Sequence, residues 1–193
     1  MKKIWRLIIL LAAILLISCS TSLPKDEELK AGFYAQEANF VELKNMIAKL
    51  NIPSEQEDFK TTTVGIDKVG DFWLISGEWR CNEDSEDKKY TQAEMLKIVG
   101  LSIETYQKYL SLLKLINAER ISKDELSGNT SISFMMKCTG ITDNGGCKSI
   151  VFAEKLPEPI VSSTDQQLNT GTFDGLCYVK LKENWFIELD WSK

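Results

Sequence analysis

The chain has 193 residues, with 23 Lys and Arg against 28 Asp and Glu, no histidine, and a formal net charge of −5. Acidity of this kind repels phosphate backbones, and no basic stripe interleaved with aromatics offsets it, so a nucleic-acid partner is not expected. Without imidazole there is no Ser-His-Asp triad, Cys-His pair or histidine-bound zinc; the GxSxG elbow, the GxxxxGK phosphate loop and the GxGxxG turn are absent too.

At the amino end, Lys2, Lys3 and Arg6 precede the apolar run Leu7 to Ile17, and Ser18 supplies a small exit residue. The run is shorter than the about 20 residues a spanning helix needs. Leu16-Ile17-Ser18-Cys19 resembles the lipobox of bacterial lipoproteins. That resemblance implies a signal peptide over 1–18, cleavage before Cys19 and lipidation of Cys19, so that a membrane is the first partner. Acyl chains worth about 0.8 kcal/mol per buried methylene hold a protein there without a spanning segment. Ser20 stands where an aspartate would favour inner-membrane retention, which implies an outer-membrane lipoprotein facing the periplasm. Cleavage removes three basic and no acidic residues, which takes the net charge to near −8. The expected organisation is a lipidated tether over 19–30 and a single globular domain over 31–193, since no Pro/Gly/Ser-rich linker divides the remainder.

From Ala31 to Leu50, apolar residues recur at steps of three and four, which predicts an amphipathic helix before Pro53. Val64 and Ile66 alternate with polar neighbours, and Phe72 to Ile75 form a short apolar run, together predicting a hairpin. Thr91 and Glu94 make a capping box before Met95, Leu96, Ile98 and Val99, with Gly100 at the exit. Ser102 caps a longer helix whose expected buried stripe is Ile103, Tyr106, Tyr109, Leu110, Leu113 and Ile116. Beyond Asn117 the period changes to two: Ile132, Phe134 and Met136; Ile150 and Phe152; Cys177, Val179 and Leu181; then Trp185, Ile187, Leu189 and Trp191. Short turns at Asn144-Gly145-Gly146 and Glu183-Asn184 imply antiparallel pairing. Pro157 and Pro159 force an extended segment unable to donate to a central ladder, and Ser162 to Asp174 reads as a long polar loop. The fold class is therefore α+β, with N-terminal helices packed on one face of a C-terminal antiparallel sheet.

With Cys19 given to lipid, Cys81, Cys138, Cys147 and Cys177 form an even set with three possible connectivities. Cys138 and Cys147 flank the turn-rich stretch and are paired first, leaving Cys81 with Cys177. A four-thiolate metal site lacks the CxxC spacing that zinc favours, so no metal and no cofactor are expected. The acidic run Glu83, Asp84, Glu86 and Asp87 fits an EF-hand poorly, because Lys88 and Lys89 fall where glycine and a backbone ligand belong. It reads as a solvated loop able to meet a basic partner. Trp185 and Trp191 lie on the opposite strand face from Glu188 and Asp190 and read as core. Phe186, on the charged face, marks a contact surface if exposed. Lys148-Ser149 is no serine-lysine dyad, since strand neighbours point to opposite faces, and Lys148 reads as a surface lysine.

The motif order Phe40-Val-Glu-Leu-Lys-Asn-Met-Ile47, Tyr106 to Leu113, Lys148 to Phe152, Pro157-Glu-Pro159 and Asn184-Trp-Phe-Ile187 resembles a family of small uncharacterised bacterial envelope proteins. The resemblance implies the helix-then-strand order and carries no activity. The leading expectation is a non-catalytic binding lipoprotein with a protein partner of basic charge, for instance an immunity or inhibitor protein against an envelope-acting effector. An accessory subunit of an outer-membrane complex and a histidine-free, carboxylate-dependent glycan hydrolase are the alternatives.

Overall fold

Alternating strands with short connections can only bury their apolar faces by pairing with their neighbours, and in this chain they do so in one sheet. A computed structural model describes residues 22–52, 60–81, 88–126, 129–141 and 144–193. Its strands are β1 (Lys60–Gly65), β2 (Lys68–Val69), β3 (Phe72–Ile75), β4 (Glu78–Cys81), β5 (Arg120–Leu126), β6 (Asn129–Ile141), β7 (Asn144–Ala153), β8 (Gly175–Lys182) and β9 (Trp185–Ser192). They form a nine-stranded sheet in the order β4-β3-β2-β1-β5-β6-β7-β9-β8, and every pairing is antiparallel. The protein is α+β, with helices mostly N-terminal and the sheet mostly C-terminal.

The helices are α1 (Asp26–Ala35), α2 (Glu37–Ala48), α3 (Gln92–Ile98), α4 (Ile103–Leu115) and α5 (Thr164–Asn169). The capping box at α3 is complete: Glu94 N donates to Thr91 Oγ1 at 3.3 Å and Thr91 N donates to Glu94 Oε2 at 2.8 Å. Ser102 Oγ accepts from Thr105 N at 3.1 Å and starts α4. Tyr106, Tyr109, Leu112 and Leu113 are buried along α4, while Ile103 at its mouth is exposed. The single helix expected from Ala31 is two, broken at Gln36.

One core fills the space between helices and sheet. At its centre Trp185 of β9 meets Phe33, Phe40, Phe134 and Phe152, with ring centroids 5.1 to 6.2 Å apart, the offset and edge-on spacing that aromatic quadrupoles favour. Both sheet edges are covered locally. Trp79 of β4 bridges Tyr90. Beside β8 the extended segment after Pro157 accepts from Tyr178 N at Pro159 O and donates back from Val161 N, at 3.0 and 2.8 Å, which keeps the strand edge from pairing with other chains.

Several expectations need correction. The folded domain does not begin at residue 31, because α1 begins at Asp26 and already puts Leu29 and Phe33 in the core. The polar stretch after Ser162 contains α5, capped by Ser163 Oγ accepting from Gln166 N. β5 was not expected: its core face carries Ile121 beside Lys123, a buried lysine whose Nζ donates to Leu50 O at 2.9 Å and pairs with Glu125.

Cys138 and Cys147 are disulfide-bonded, paired across β6 and β7 with Cα atoms 4.1 Å apart. Cys81 and Cys177 are not bonded to each other; both are free. They sit on β4 and β8, the two outermost strands. Bridging needs Cα atoms within about 7 Å, whereas eight strand spacings of about 4.8 Å separate those strands along the sheet. The same placement keeps the four thiolates from meeting around a metal.

Lys148 is not a surface residue. It is fully buried on the helical face of β7, with Nζ 2.9 Å from Asp26 Oδ1 and 2.5 Å from Asp165 Oδ1. Asp26 also accepts from Ser163 Oγ and Thr164 N, both at 2.8 Å, and from Thr164 Oγ1, and its own N–H donates to Asp165 Oδ2 at 3.0 Å. Burial pushes the Asp26 carboxyl up, but hydrogen bonds from Thr164, Lys148 and Ser163, with the lysine's charge, outweigh it and hold the group below its ordinary range. This cluster fastens the start of α1 and the start of α5 to the middle of the sheet.

Removing one member of a buried ion cluster strands the others, at a cost of about 3–5 kcal/mol. Lys148→Met is therefore expected to lower unfolding free energy by that amount in urea titration. Since the folded pKa of Asp26 is depressed, its contribution is full above its ordinary value of 3.8 and is lost as pH falls through the folded value; Asp26→Asn should flatten the acid limb of the stability profile. In thiol labelling, partly exposed Cys81 is expected to react in the native protein, and buried Cys177 only after denaturation.

Candidate functional site: the concave face of the sheet

Strand alternation assigns every second residue to the face away from the helical core, and on five strands in succession that face carries polar residues, interrupted by Met135, Cys147 and Val151. It carries Thr61 and Thr63 on β1, Ser122 and Asp124 on β5, Ser131 and Ser133 on β6, Ser149 on β7, and Glu188 and Asp190 on β9. All of these, with Lys68 of β2, line one cavity of about 330 Å³. A flat sheet would spread six adjacent strands over about 24 Å, so a shared cavity requires the sheet to curl. Register shifts between Met135 and Lys137 on β6 and between Lys180 and Lys182 on β8 are bulges that add to the bend. Thr63 and Ser149 are buried at the bottom, which makes the face a cleft. Close approach is needed at the rim: a Cβ on Gly146 would strike the carbonyl oxygen of Asp190 on the neighbouring strand.

The pairing register lines up Gly65, Arg120, Met135, Ser149 and Glu188 across β1, β5, β6, β7 and β9, with Tyr178 of β8 beyond. One end of this row carries two cations, with Asp67, Asp71 and Asp124 close enough to act on them. The Arg120 guanidinium and the Lys68 ammonium both stack on Trp73, at 5.1 and 4.4 Å from the ring centroid, and Arg120 Nη2 is 3.0 Å from Asp67 Oδ2. Burial, and then the neighbouring Arg120 charge, lowers the Lys68 pKa against the opposing pull of Asp71, Asp67 and Asp124.

The other end is acidic. Glu188 is half-buried. Burial, helped by repulsion from Asp190 and then Asp124 and opposed by a hydrogen bond from the Tyr178 hydroxyl, raises its carboxyl to about 7. Burial and the adjacent carboxylates push the Tyr178 hydroxyl up in turn. Asp124 accepts from Thr61 Oγ1 at 2.6 Å. Near neutral pH the cleft thus holds a carboxyl poised between its two states beside Asp190, with Asp124 across the cavity on β5. It can accept a cation or share a proton there, while the opposite end offers positive charge.

No family model matches the chain. No curated protein and no solved structure matches it either.

Of the residues singled out from sequence, Cys19 and the acidic run Glu83, Asp84, Glu86 and Asp87 lie outside the described residues. Phe186 is on the cleft side of β9, as alternation requires, but it is only 1% exposed and packs with Val151, Ala153 and Tyr178 in a small second core. It is therefore not a contact surface. Ser149 and Lys148 do point to opposite faces, one into the cleft and the other into the buried ion cluster. Arg120, Lys68, Asp124 and Glu188 were not read together, because the register that unites them depends on β5. The signal available was the repeated spacing Thr61/Thr63, Ser122/Asp124 and Ser131/Ser133, polar pairs two apart on consecutive segments. Among the described residues, no group of three metal-ligating side chains is placed to hold an ion, and no helix is long and apolar enough to cross a membrane.

A carboxyl whose folded pKa lies above its unfolded value is costly once ionised. Stability should therefore decline as pH rises from the ordinary 4.5 through about 7. Glu188→Gln, which cannot ionise, is expected to be more stable than the natural chain by roughly 1–3 kcal/mol at pH 8 and close to it at pH 5, measured by urea unfolding at the two pH values.

Proposed function

We propose that this chain is a lipid-anchored, non-catalytic binding protein of the cell envelope, and that the concave face of its sheet receives a protein partner of basic charge. The carrying observation is the acidic end of the cleft, where Glu188 and Asp190 stand two residues apart on one face of β9 and Glu188 is held half-buried with its pKa raised. Holding a partly buried carboxyl next to a like charge costs stability, and an arriving cation relieves that cost. A net charge of −5 over the whole chain adds long-range attraction for such a partner. The lipobox resemblance at Leu16-Ile17-Ser18-Cys19 supports membrane attachment through Cys19, with the outer membrane facing the periplasm as the expected location. An immunity or inhibitor protein that neutralises an envelope-acting effector is the concrete form of this reading.

One observation favours a second reading. Half-buried Glu188 and exposed Asp190 are neighbouring carboxyls in different surroundings, and separating two carboxyl pKa values is how carboxylate-dependent glycosidases divide acid from base. Incubation with peptidoglycan tests it directly, and the absence of released fragments removes it.

For the leading reading, the protein is purified from crosslinked envelopes in three forms: natural, Cys19→Ala, and Glu188→Gln with Asp190→Asn. The natural bait is expected to carry lipid on Cys19 and to fractionate with the outer membrane, and Cys19→Ala should leave the membrane. One specific partner is expected, with recovery falling about tenfold in the double carboxylate variant, equivalent to about 1.4 kcal/mol. Equal recovery from that variant would remove the cleft from the reading, and an unlipidated natural bait would overturn the localisation.

A further inference from the structure

We propose that the cleft recognises an extended peptide segment of about four residues, with a cationic group seated at Glu188 and Asp190 and a carboxylate at Lys68 and Arg120. The inference rests on the reading of the cleft as a binding site and specifies its ligand.

The two charged ends stand on a common row. Arg120 on β5 and Glu188 on β9 are aligned in register through Met135 and Ser149, so three strand spacings, about 14 Å measured along the curled sheet, set the upper limit of the span between them. An extended peptide advances about 3.4 Å per residue, and four residues cover that distance. The segment would lie across the strands, so it reads the sheet's face and not an edge. The floor mixes hydroxyls with apolar side chains: Ser133 and Ser149 can donate to a carbonyl or accept from an N–H, Ser122 Oγ shares a hydrogen bond with Thr63 Oγ1 at 2.9 Å, and Met135 and Val151 lie beside them.

Both ends have capacity to spare. Lys68 Nζ rests on the Trp73 ring and forms no ion pair among the described residues. Arg120 uses Nη2 on Asp67, which leaves Nη1 as the guanidinium nitrogen for a ligand, since Nε is buried. At the far end Glu188 is met by the Tyr178 hydroxyl, with no cation against it among the described residues. Other ligand chemistries fit less well. A sugar stacks on an open aromatic face, whereas Trp73, the ring beside the cleft, is occupied by Lys68 and Arg120. A polyanion would meet three carboxylates.

The positive and negative groups can be peptide termini or side chains, and the experiment separates the two. The full mature chain is titrated by calorimetry with tetra-alanine, its N-acetylated form, its C-amidated form, and a doubly capped lysyl-alanyl-alanyl-glutamate that moves both charges to side chains. Binding of free tetra-alanine, weakened about tenfold by either cap, supports recognition of termini; binding of the capped charged peptide alone supports side chains. The cation's seat is checked in Glu188→Gln with Asp190→Asn and the anion's seat in Lys68→Met; in each, loss of the matching ligand charge should cease to matter, changing affinity by less than about twofold. Comparing capped and uncapped ligands on the unaltered protein keeps the result independent of how the variants fold.

Equal affinity for all four peptides, or binding of none, overturns the inference. If no peptide binds while partner capture still depends on Glu188 and Asp190, the ligand assignment falls and the binding reading stands. If capture is insensitive as well, both fall.

Discussion

The ion cluster around Lys148 is the constraint on which the arrangement of the chain turns. A lysine with no exposed surface is tolerated only when its charge is matched and its hydrogen bonds are filled, and here the two matching carboxylates come from residues 122 positions before it and 17 after it. Asp26 opens α1 and Asp165 lies in the first turn of α5. The cluster therefore makes the start of the described chain, the middle of the sheet and the segment after the prolines mutually dependent. Asp26 serves several donors together, and Asp165 accepts both from the lysine and from the Asp26 backbone. Such a network specifies one arrangement, because an alternative packing would leave several buried groups unpaired.

Strand alternation carries that constraint to the other side of the sheet. With Lys148 fixed on the helical face of β7, Cys147 and Ser149 must face the cleft. Register then propagates outward: Ser149 opposite Glu188 on β9, Met135 opposite Ser149 on β6, and Arg120 opposite Met135 on β5. The disulfide between Cys138 and Cys147 closes a short loop at the outer end of the same strand pair, adding resistance to slippage where a one-residue shift would exchange the two faces. The apolar core and the polar cleft are thus two readings of one register.

Much of the architecture was legible wherever side-chain period was strong. Ile132/Phe134/Met136 and Trp185/Ile187/Leu189 announced β6 and β9, and Thr91 with Glu94 and Ser102 marked two helix starts, because capping and alternation are local physics. β5 was hidden because Lys123 occupies a core position where the pattern calls for an apolar residue, and its acceptor, Leu50 O, is 73 positions away. Lys148 was misread for the same reason: local sequence cannot show that two distant carboxylates neutralise a lysine. Pairing Cys81 with Cys177 followed from parity alone, which ignores that sheet order puts their strands at opposite edges. Of the cleft, the alternation of Glu188 and Asp190 against the tryptophans was visible. The cationic end was not, since it depends on β2 and β5 meeting across β1.

Two charges on neighbouring strands show how structural and functional roles separate. Lys148 and Glu188 are adjacent in register, lying opposite Leu189 and Ser149 respectively. Lys148 faces two carboxylates at ion-pair distance, and every donor around its partners is used, so its burial is repaid locally and it holds the fold. Glu188 faces a phenol and two like charges, so part of its burial is uncompensated. Selection for stability alone would remove such a residue, since a glutamine fills the same volume without the ionisation cost. A carboxyl kept in that setting, at one end of the cleft, is what the proposed binding of a cation there would compensate. The contrast locates the site on the concave face, although helices and sheet on the other side hold nearly all the packing.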